Sequence, residues 1–333
     1  PNDHVNLGQS SNDVIPSTIH IAALSLIRDH LLVSLRSLQD ALKERSEAFS
    51  RITKVGRTHL QDAVPMTLGQ EFSGYARQVE LGIDRIRSVE PRLAELALGG
   101  TAVGTGLNAH PRFAQRVIEG VRKETGCPFR EARNHFEAQA CQDTAVETSG
   151  ALKTIAVSLV KIANDIRWLS SGPRCGLGEI TIPSLQPGSS IMPGKVNPVI
   201  PEVVLQVAGQ VIGNDAAIVF GGQAGNFELN AMLPLVAHNL LQSILLLDRA
   251  AGSLGENCIP GVTADAQRCA SNVERSLALV TALVPVIGYD KAAALAGEAY
   301  AQGKSIREVA LRSHILPADQ IDRILNQAVK QTE

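Results

Sequence analysis

Gly150-Ala151-Leu152-Lys153-Thr154-Ile155-Ala156-Val157-Ser158-Leu159-Val160-Lys161-Ile162-Ala163-Asn164-Asp165-Ile166-Arg167-Trp168-Leu169 is the stretch whose spacing decides the class of fold. Its large apolar residues Leu152, Ile155, Leu159, Ile162, Ile166 and Leu169 step by three or four, which lines them along one face of an α-helix; a strand would alternate in twos. From about Ala138 to Ser170 the chain has no proline and a single glycine, Gly150, so one helix of about 50 Å, at 1.5 Å per residue, is expected. Leu24, Ile27, Leu31, Leu35, Leu38 and Leu42 repeat the spacing. Around Val203, Val204, Leu205, Val207, Ala208, Val211 and Ile212 the pattern is apolar on more than one face, which marks a helix buried on most sides. Helices of this length pack as bundles, often shared between subunits. The fold class read from this is all-α, a long-helix bundle inside an oligomer; a large monomeric helical core is the alternative.

The bulk numbers agree. The chain has 333 residues, 44% of them apolar, enough for a large core. Its net charge of -2, with acids and bases interspersed, gives no basic run for nucleic acid and no basic amphipathic helix for a membrane surface. No stretch of 18 apolar residues is free of charge, so no membrane span is expected. Cys127, Cys141, Cys175, Cys258 and Cys269 are odd in number, widely spaced and without a C-x-x-C pair. Buried free thiols in a reducing compartment are expected, not disulfides, zinc or an iron–sulfur cluster. The chain begins at Pro1, so a fragment is expected, and the lack of a leader says little about targeting.

Pro16, Pro65, Pro198 and Pro201 read as helix-start prolines, and Pro91 as one that kinks or ends a helix. Leu98 to Asn108 reads as a glycine-rich loop, with no G-x-G-x-x-G for phosphate. After Pro260-Gly261 come shorter helical segments, about 264–283, 290–302, 305–312 and 317–327, which suggest a small C-terminal domain. Residues 1–10, 11–264 and 265–333 are taken as an N-terminal remnant, the central bundle and that domain.

Three polar segments stand before predicted long helices, where free N–H groups and the positive end of the helix dipole suit carboxylates. They are Gly8-Gln9-Ser10-Ser11-Asn12-Asp13, Gly56-Arg57-Thr58-His59-Leu60-Gln61-Asp62 and Gly188-Ser189-Ser190-Ile191-Met192-Pro193-Gly194-Lys195-Val196-Asn197-Pro198. In the third, Gly188 and Gly194 bracket a segment that could close as a lid, Lys195 brings a positive charge, and Asn197-Pro198 reads as an N-cap with proline at the first helical position. His4, His20, His30, His110, His238 and His314 show no metal-ligand spacing.

The third segment resembles the signature of the fumarase/aspartase superfamily, whose members cleave a C–O or C–N bond beta to a carboxylate and release fumarate. Asn6 to Asp13, Gly56 to Asp62 and Gly225-Asn226-Phe227-Glu228-Leu229-Asn230 look like family blocks in family order, so the resemblance covers essentially the whole chain. Thr58-His59-Leu60-Gln61-Asp62, Asn134-His135-Phe136-Glu137-Ala138 and Asn226-Phe227-Glu228 resemble the iron-independent (class II) hydratase branch. Val64-Pro65-Met66 and Val199 to Val203 lean toward the ammonia-lyases. The resemblance implies a shared helical core in a homotetramer and reversible anti addition of water to fumarate, giving (S)-malate. It implies no cofactor, no metal, a cytoplasmic enzyme (mitochondrial in a eukaryote), and no nucleic-acid or membrane partner. An amine-releasing lyase of the same superfamily and an inactive structural bundle are the alternatives.

By the same resemblance Ser189 is the carbon base, acting as an alkoxide, and His59 with Glu202 handles the water. Lys195 and Asn197 hold the charged carboxylate, and Ser10, Ser11, Asn12, Thr58, Ser190 and Val196 complete substrate binding. Pro1, Asn2 and Asp3 belong to a second dicarboxylate site whose histidine would stand before Pro1. His135 is expected to line the bundle without chemistry, and Glu228 and Asn230 are candidates for support of the site or simple packing. The family's further N-terminal domain would supply more substrate-binding Ser and Thr, so the chain as it stands is expected to turn over little.

Overall fold

The structure, a computed structural model, describes residues 2–186 and 188–330. It is dominated by helices. α1 (Ser11–Leu26) runs through a π-helical turn at Ile27–Leu31 into α2 (Leu32–Ala48). Strands β1 (Thr53–Thr58) and β2 (Gln61–Thr67) follow, then α3 (Leu68–Leu93), α4 (Phe113–Thr125), α5 (His135–Ala140), α6 (Asp143–Leu169), α7 (Val199–Gly222) and α8 (Leu233–Ser253). The C-terminal part holds α9 (Ala266–Arg275), a 3-10 stretch Leu277–Leu283, α10 (Val284–Ile287), α11 (Tyr289–Gln302), α12 (Ile306–Arg312) and α13 (Ala318–Lys330). A π-helical turn (Leu254–Cys258), a 3-10 turn (Ile259–Gly261) and three two-residue strand pairs complete the elements among the described residues. The chain divides into two compact units, one of Pro1–Gln39, Arg77–Asn164 and Pro198–Asn257, the other of Asp40–Ala76, Asp165–Asn197 and Cys258–Glu333.

In the first unit α8 packs on α7, on α1 and on the π-helical turn. The periodic residues are the ones buried: Leu24, Ile27, Leu31 and Leu35 from the first helices, Leu152, Ile155, Leu159 and Ile162 from α6, Val236, Leu240, Ile244 and Leu247 from α8. Each such side chain contributes about 1.5–3 kcal/mol on leaving water. A Cβ on Gly221 would stand 2.8 Å from Val236 Cγ2, so the close approach of α7 to α8 requires glycine there. Buried polar groups set the register: Asp215 on α7 accepts from Ser149 on α6 and pairs with Lys153, and Asn214 donates to Gln242 and Ser243 on α8. A buried group with one matching partner loses its bond if the helix slides a turn, which costs about 1–3 kcal/mol.

In the second unit α9 packs on β1, and Leu279, Leu283, Leu295, Ile306, Val309, Ile321 and Leu325 form a small core of the C-terminal helices.

Several expectations change. The long helix read from Ala138 is broken at Cys141, an extended residue, and α6 starts at Asp143. The segment read as Ala264 to Leu283 is α9 plus a 3-10 stretch, separated at extended Ser276. Pro65 lies in β2, where a two-stranded sheet leaves an edge for a residue without N–H, and Pro16 sits in the second turn of α1. Pro91 does sit two residues before the end of α3. Cys127, Cys258 and Cys269 are buried thiols as read, whereas Cys141 and Cys175 are exposed. By length and mean hydropathy Ser11–Ala48 and Val199–Gly222 reach what a membrane crossing requires. In the fold, α7 divides its apolar residues between the core, with Val204, Val211 and Ile218, and exposed positions on more than one side, with Val203, Ile212, Val219 and Phe220.

Candidate active site

The first polar segment is a helix start. Ser10 is the extended N-cap of α1; its hydroxyl accepts from Asn12 N–H, and Asp13 Oδ1 accepts from Ser10 N–H at 2.9 Å. Asp13 is completely buried, and its other oxygen accepts from Gly99 N–H (2.9 Å) and Thr101 N–H (3.1 Å). Asn12 Nδ2 donates to Ala102 O at 2.8 Å. The glycine-rich loop is thereby tied to the residues at the start of α1. Sequence reading gave Asp13 no role, although Ser10-x-x-Asp13 is the spacing of a capping box.

The second segment is not a helix start. It is the tip of the β1–β2 hairpin, paired from Thr53↔Thr67 to Thr58↔Gln61 with a register shift between Val55 and Arg57. His59 (φ 55°) and Leu60 (φ 59°) form the two-residue turn with both residues left-handed, the geometry that matches strand twist. The usual signal for such a turn, Asn-Gly, is absent, which is why the sequence did not announce it. A helix-dipole role for His59 therefore falls away. Thr58 and His59 are exposed and make no side-chain hydrogen bond among the described residues.

Below the tip is a buried ionic cluster that sequence reading missed. Arg57 donates twice to Glu179, at 2.6 and 3.0 Å; Lys54 lies 3.5 Å from Glu179 and 3.1 Å from Glu71; Asn272 Nδ2 donates to Glu179 at 3.2 Å. Burial acts to raise the Glu179 carboxyl, but the Arg57 bonds and the charges of Lys54 and Arg57 outweigh it and hold the group below the usual carboxylate value. Burial raises Glu71, and Lys54 offsets that only in part. Four of these residues, Lys54, Glu71, Glu179 and Asn272, lie in segments with no motif, and their meeting is a property of the fold.

The third segment is a compact loop. Ser189 N–H donates to Lys195 O at 3.3 Å and Lys195 N–H to Met192 O at 3.2 Å, with Gly194 left-handed at φ 80°. The half-buried Ser189 hydroxyl oxygen accepts from two backbone N–H groups, Ile191 at 3.2 Å and Met192 at 3.1 Å. Ser190, Lys195, Val196 and Asn197 are exposed, and among the described residues Lys195 has no ion-pair partner. The N-cap of α7 is Pro198, not Asn197, and no side chain caps it, so Asn197 is not spent on the helix. Glu202 is half-buried in the first turn of α7.

The expected residues thus fall into two groups. Thr58, His59, Ser189, Ser190, Lys195, Val196 and Asn197 belong to the second unit; Ser10, Ser11, Asn12 and Glu202 belong to the first, with Asn2 and Asp3, exposed in turns. Pro1 lies outside the described residues. His135 contacts Leu98 O and Glu131, each at 3.3 Å, and Asn230 is buried and donates to Gly221 O, so both have structural partners.

Comparison with known proteins is consistent along the chain. The family described as Lyase matches residues 1–213, and the one described as Fumarase C C-terminus matches residues 279–328. The Fumarate hydratase class II of Nitrosomonas europaea is 56% identical over 322 residues, 97% of this chain and 70% of that protein. Fumarate hydratase 1, mitochondrial, of Arabidopsis thaliana is 51% identical over 98% of this chain and 66% of its own length. Among solved structures, class II fumarase from Schistosoma mansoni superposes with a TM-score of 0.93 at 39% identity, covering 100% of this chain and 72% of that one. The fumarate lyase:delta crystallin from Brucella melitensis bound to cobalt gives the same TM-score at 44% identity, over 100% of this chain and 72% of that one. With the Lyase match over most of the chain and this level of identity to hydratases, the chain belongs to the class II fumarate hydratases, carbon–oxygen lyases of a helical-bundle fold.

Proposed function

We propose that the chain carries the central machinery for the reversible anti addition of water to fumarate, giving (S)-malate, with Ser189 as the carbon base. In the dehydration direction the Ser189 alkoxide takes the proton from the carbon beside one carboxylate, and the electron pair moves into that carboxylate. Lys195 and Asn197 hold the resulting double negative charge. The stored electron pair then returns to form the C=C bond as the C–O bond of the next carbon breaks, and the departing oxygen takes a proton from His59, partnered by Glu202, and leaves as water. Ser10, Ser11, Asn12, Thr58, Ser190 and Val196 bind the rest of the substrate.

The observation that carries this reading is the pair of N–H groups on Ser189 Oγ. A serine is too weak an acid to serve as a base unless its anion is stabilised, and oriented backbone donors supply that stabilisation; one such donor is worth roughly 3–4 kcal/mol. The exposed and unengaged state of Lys195, Asn197, Thr58 and His59 supports the reading too, because groups meant for a substrate are not consumed internally.

The same reading makes the active unit a homotetramer with substrate-binding segments from different copies, and the exposed apolar residues of α7 a contact with another copy, not with a membrane. It keeps Asn2 and Asp3 as part of a second dicarboxylate site, the division at residues 11–264 and 265–333, and a cytoplasmic (in a eukaryote, mitochondrial) enzyme.

The test follows fumarate absorbance as malate is converted. Ser189→Ala and His59→Asn in the full chain each lower kcat by about 10²–10⁴-fold with little change in KM. Near-normal rates in either variant would remove that residue from its role.

A further inference from the structure

The Glu179 side chain has no exposed surface, and its backbone is held on both sides: its N–H donates to Leu169 O and its C=O accepts from Asp265 N–H, each at 2.9 Å. It stands directly before the short strand Ile180–Thr181, from which the chain leads to the Gly188–Pro198 loop. From this fixed point it grips β1 through Arg57, two residues ahead of His59, and through Lys54.

The hairpin tip requires an external hold. Its ladder is interrupted between Val55 and Arg57, a Cβ on Gly56 would stand 2.8 Å from Val64 O, and both turn residues are left-handed without being glycine. A two-stranded hairpin is marginal alone. Two carboxylates (Glu71, Glu179) and two cations (Lys54, Arg57) make the cluster beneath it formally neutral. A buried ion cluster is a weak device for stability, because packed apolar side chains serve as well. It is a strong device for position, because a planar guanidinium held at two oxygens admits one orientation.

We propose that Glu179 is a positioning residue for catalysis: its two-point hold on Arg57 sets the height of β1 and so places His59 relative to the root of the loop that carries Ser189. The proposal rests on the assignment of His59 to the water step. A displacement of about 1 Å in such a group costs on the order of 10²-fold in rate.

The test is a double-mutant cycle in the full chain. Glu179→Gln keeps the shape but loses the charge and one of the two parallel bonds. kcat falls about 10- to 100-fold while KM for malate stays within about twofold, as for a group acting on the chemical step. In a His59→Asn background the same change causes no further loss of kcat. Glu274→Gln, which breaks the Arg307–Glu274 pair of the same unit, lowers the melting temperature but leaves kcat unchanged. An equal fractional loss in both backgrounds, or an unchanged kcat in Glu179→Gln, overturns the proposal. A near-normal rate in His59→Asn alone instead overturns the assignment of His59, and the proposal with it. Should Glu179→Gln fail to fold, Asn272→Ala, which removes one neutral hydrogen bond to the same carboxylate, carries the cycle with a smaller kcat loss; additivity there overturns it equally.

Discussion

Asp13 shows how one side chain couples local to tertiary structure. As an acceptor-only group it satisfies three backbone N–H donors, one in its own capping box and two in the glycine-rich loop. An asparagine has a single acceptor oxygen, so Asp13→Asn leaves buried N–H groups facing an NH₂ at about 1–3 kcal/mol. Because Ser10, Ser11 and Asn12 are the neighbours it orients, KM for malate rises about 10-fold, equivalent to about 1.4 kcal/mol, with kcat less affected. Steady-state kinetics separates this from a loss of folded protein, which would lower the apparent kcat and leave KM alone. The capping half of this role was legible in the spacing of Ser10 and Asp13. The loop half was not, because it joins residues 86 and 88 positions apart.

At the scale of elements the two segments proposed to carry catalysis differ in what holds them. The Gly188–Pro198 loop closes on itself, and a Cβ on Gly188 would meet Lys195 O at 2.6 Å, whereas one on Gly194 meets nothing within 4 Å. Gly188→Ala must therefore open the loop and break the Ser189 N–H to Lys195 O bond, while Gly194→Ala meets only left-handed strain of about 1–2 kcal/mol. Gly188→Ala accordingly lowers kcat at least about tenfold more than Gly194→Ala, with unchanged helical circular dichroism in both; equal losses would show that loop closure is immaterial. The hairpin is the element that escaped sequence reading. Its turn residues are His and Leu where Asn-Gly is the usual signal, and β2 carries a proline. Tertiary support from α9 and the Glu179 cluster substitutes for local propensity.

At the scale of the whole molecule, the proposed assembly gives the exposed apolar residues of α7 a partner. Phe220 is 56% exposed and Val219 45% in the isolated chain. Large apolar side chains left exposed on a helix otherwise rooted in a core fit a protein contact. On the proposed shared-site reading the full chain is expected to sediment as four copies, and Phe220→Asp or Val219→Asp to shift it to smaller species and reduce activity together. Analytical ultracentrifugation in parallel with the malate assay checks this; an active monomer would refute the shared-site reading.

The helical class, the core-facing residues of the long helices, the three polar segments and, through the motifs, the hydratase branch can all be read from the order of residues alone. Spacing of three and four and contiguous motifs are local properties, so they survive in one dimension. Tertiary structure alone decided that the His59 segment is a hairpin tip, that Ser189 receives two N–H groups, that Asn197 is not the cap of α7, and that Lys54, Arg57, Glu71, Glu179 and Asn272 meet. Each of these depends on a backbone direction or a distant partner. The Glu179 cluster in particular pairs residues 122 or more positions apart, because charges can leave water only where the fold brings their counter-charges together.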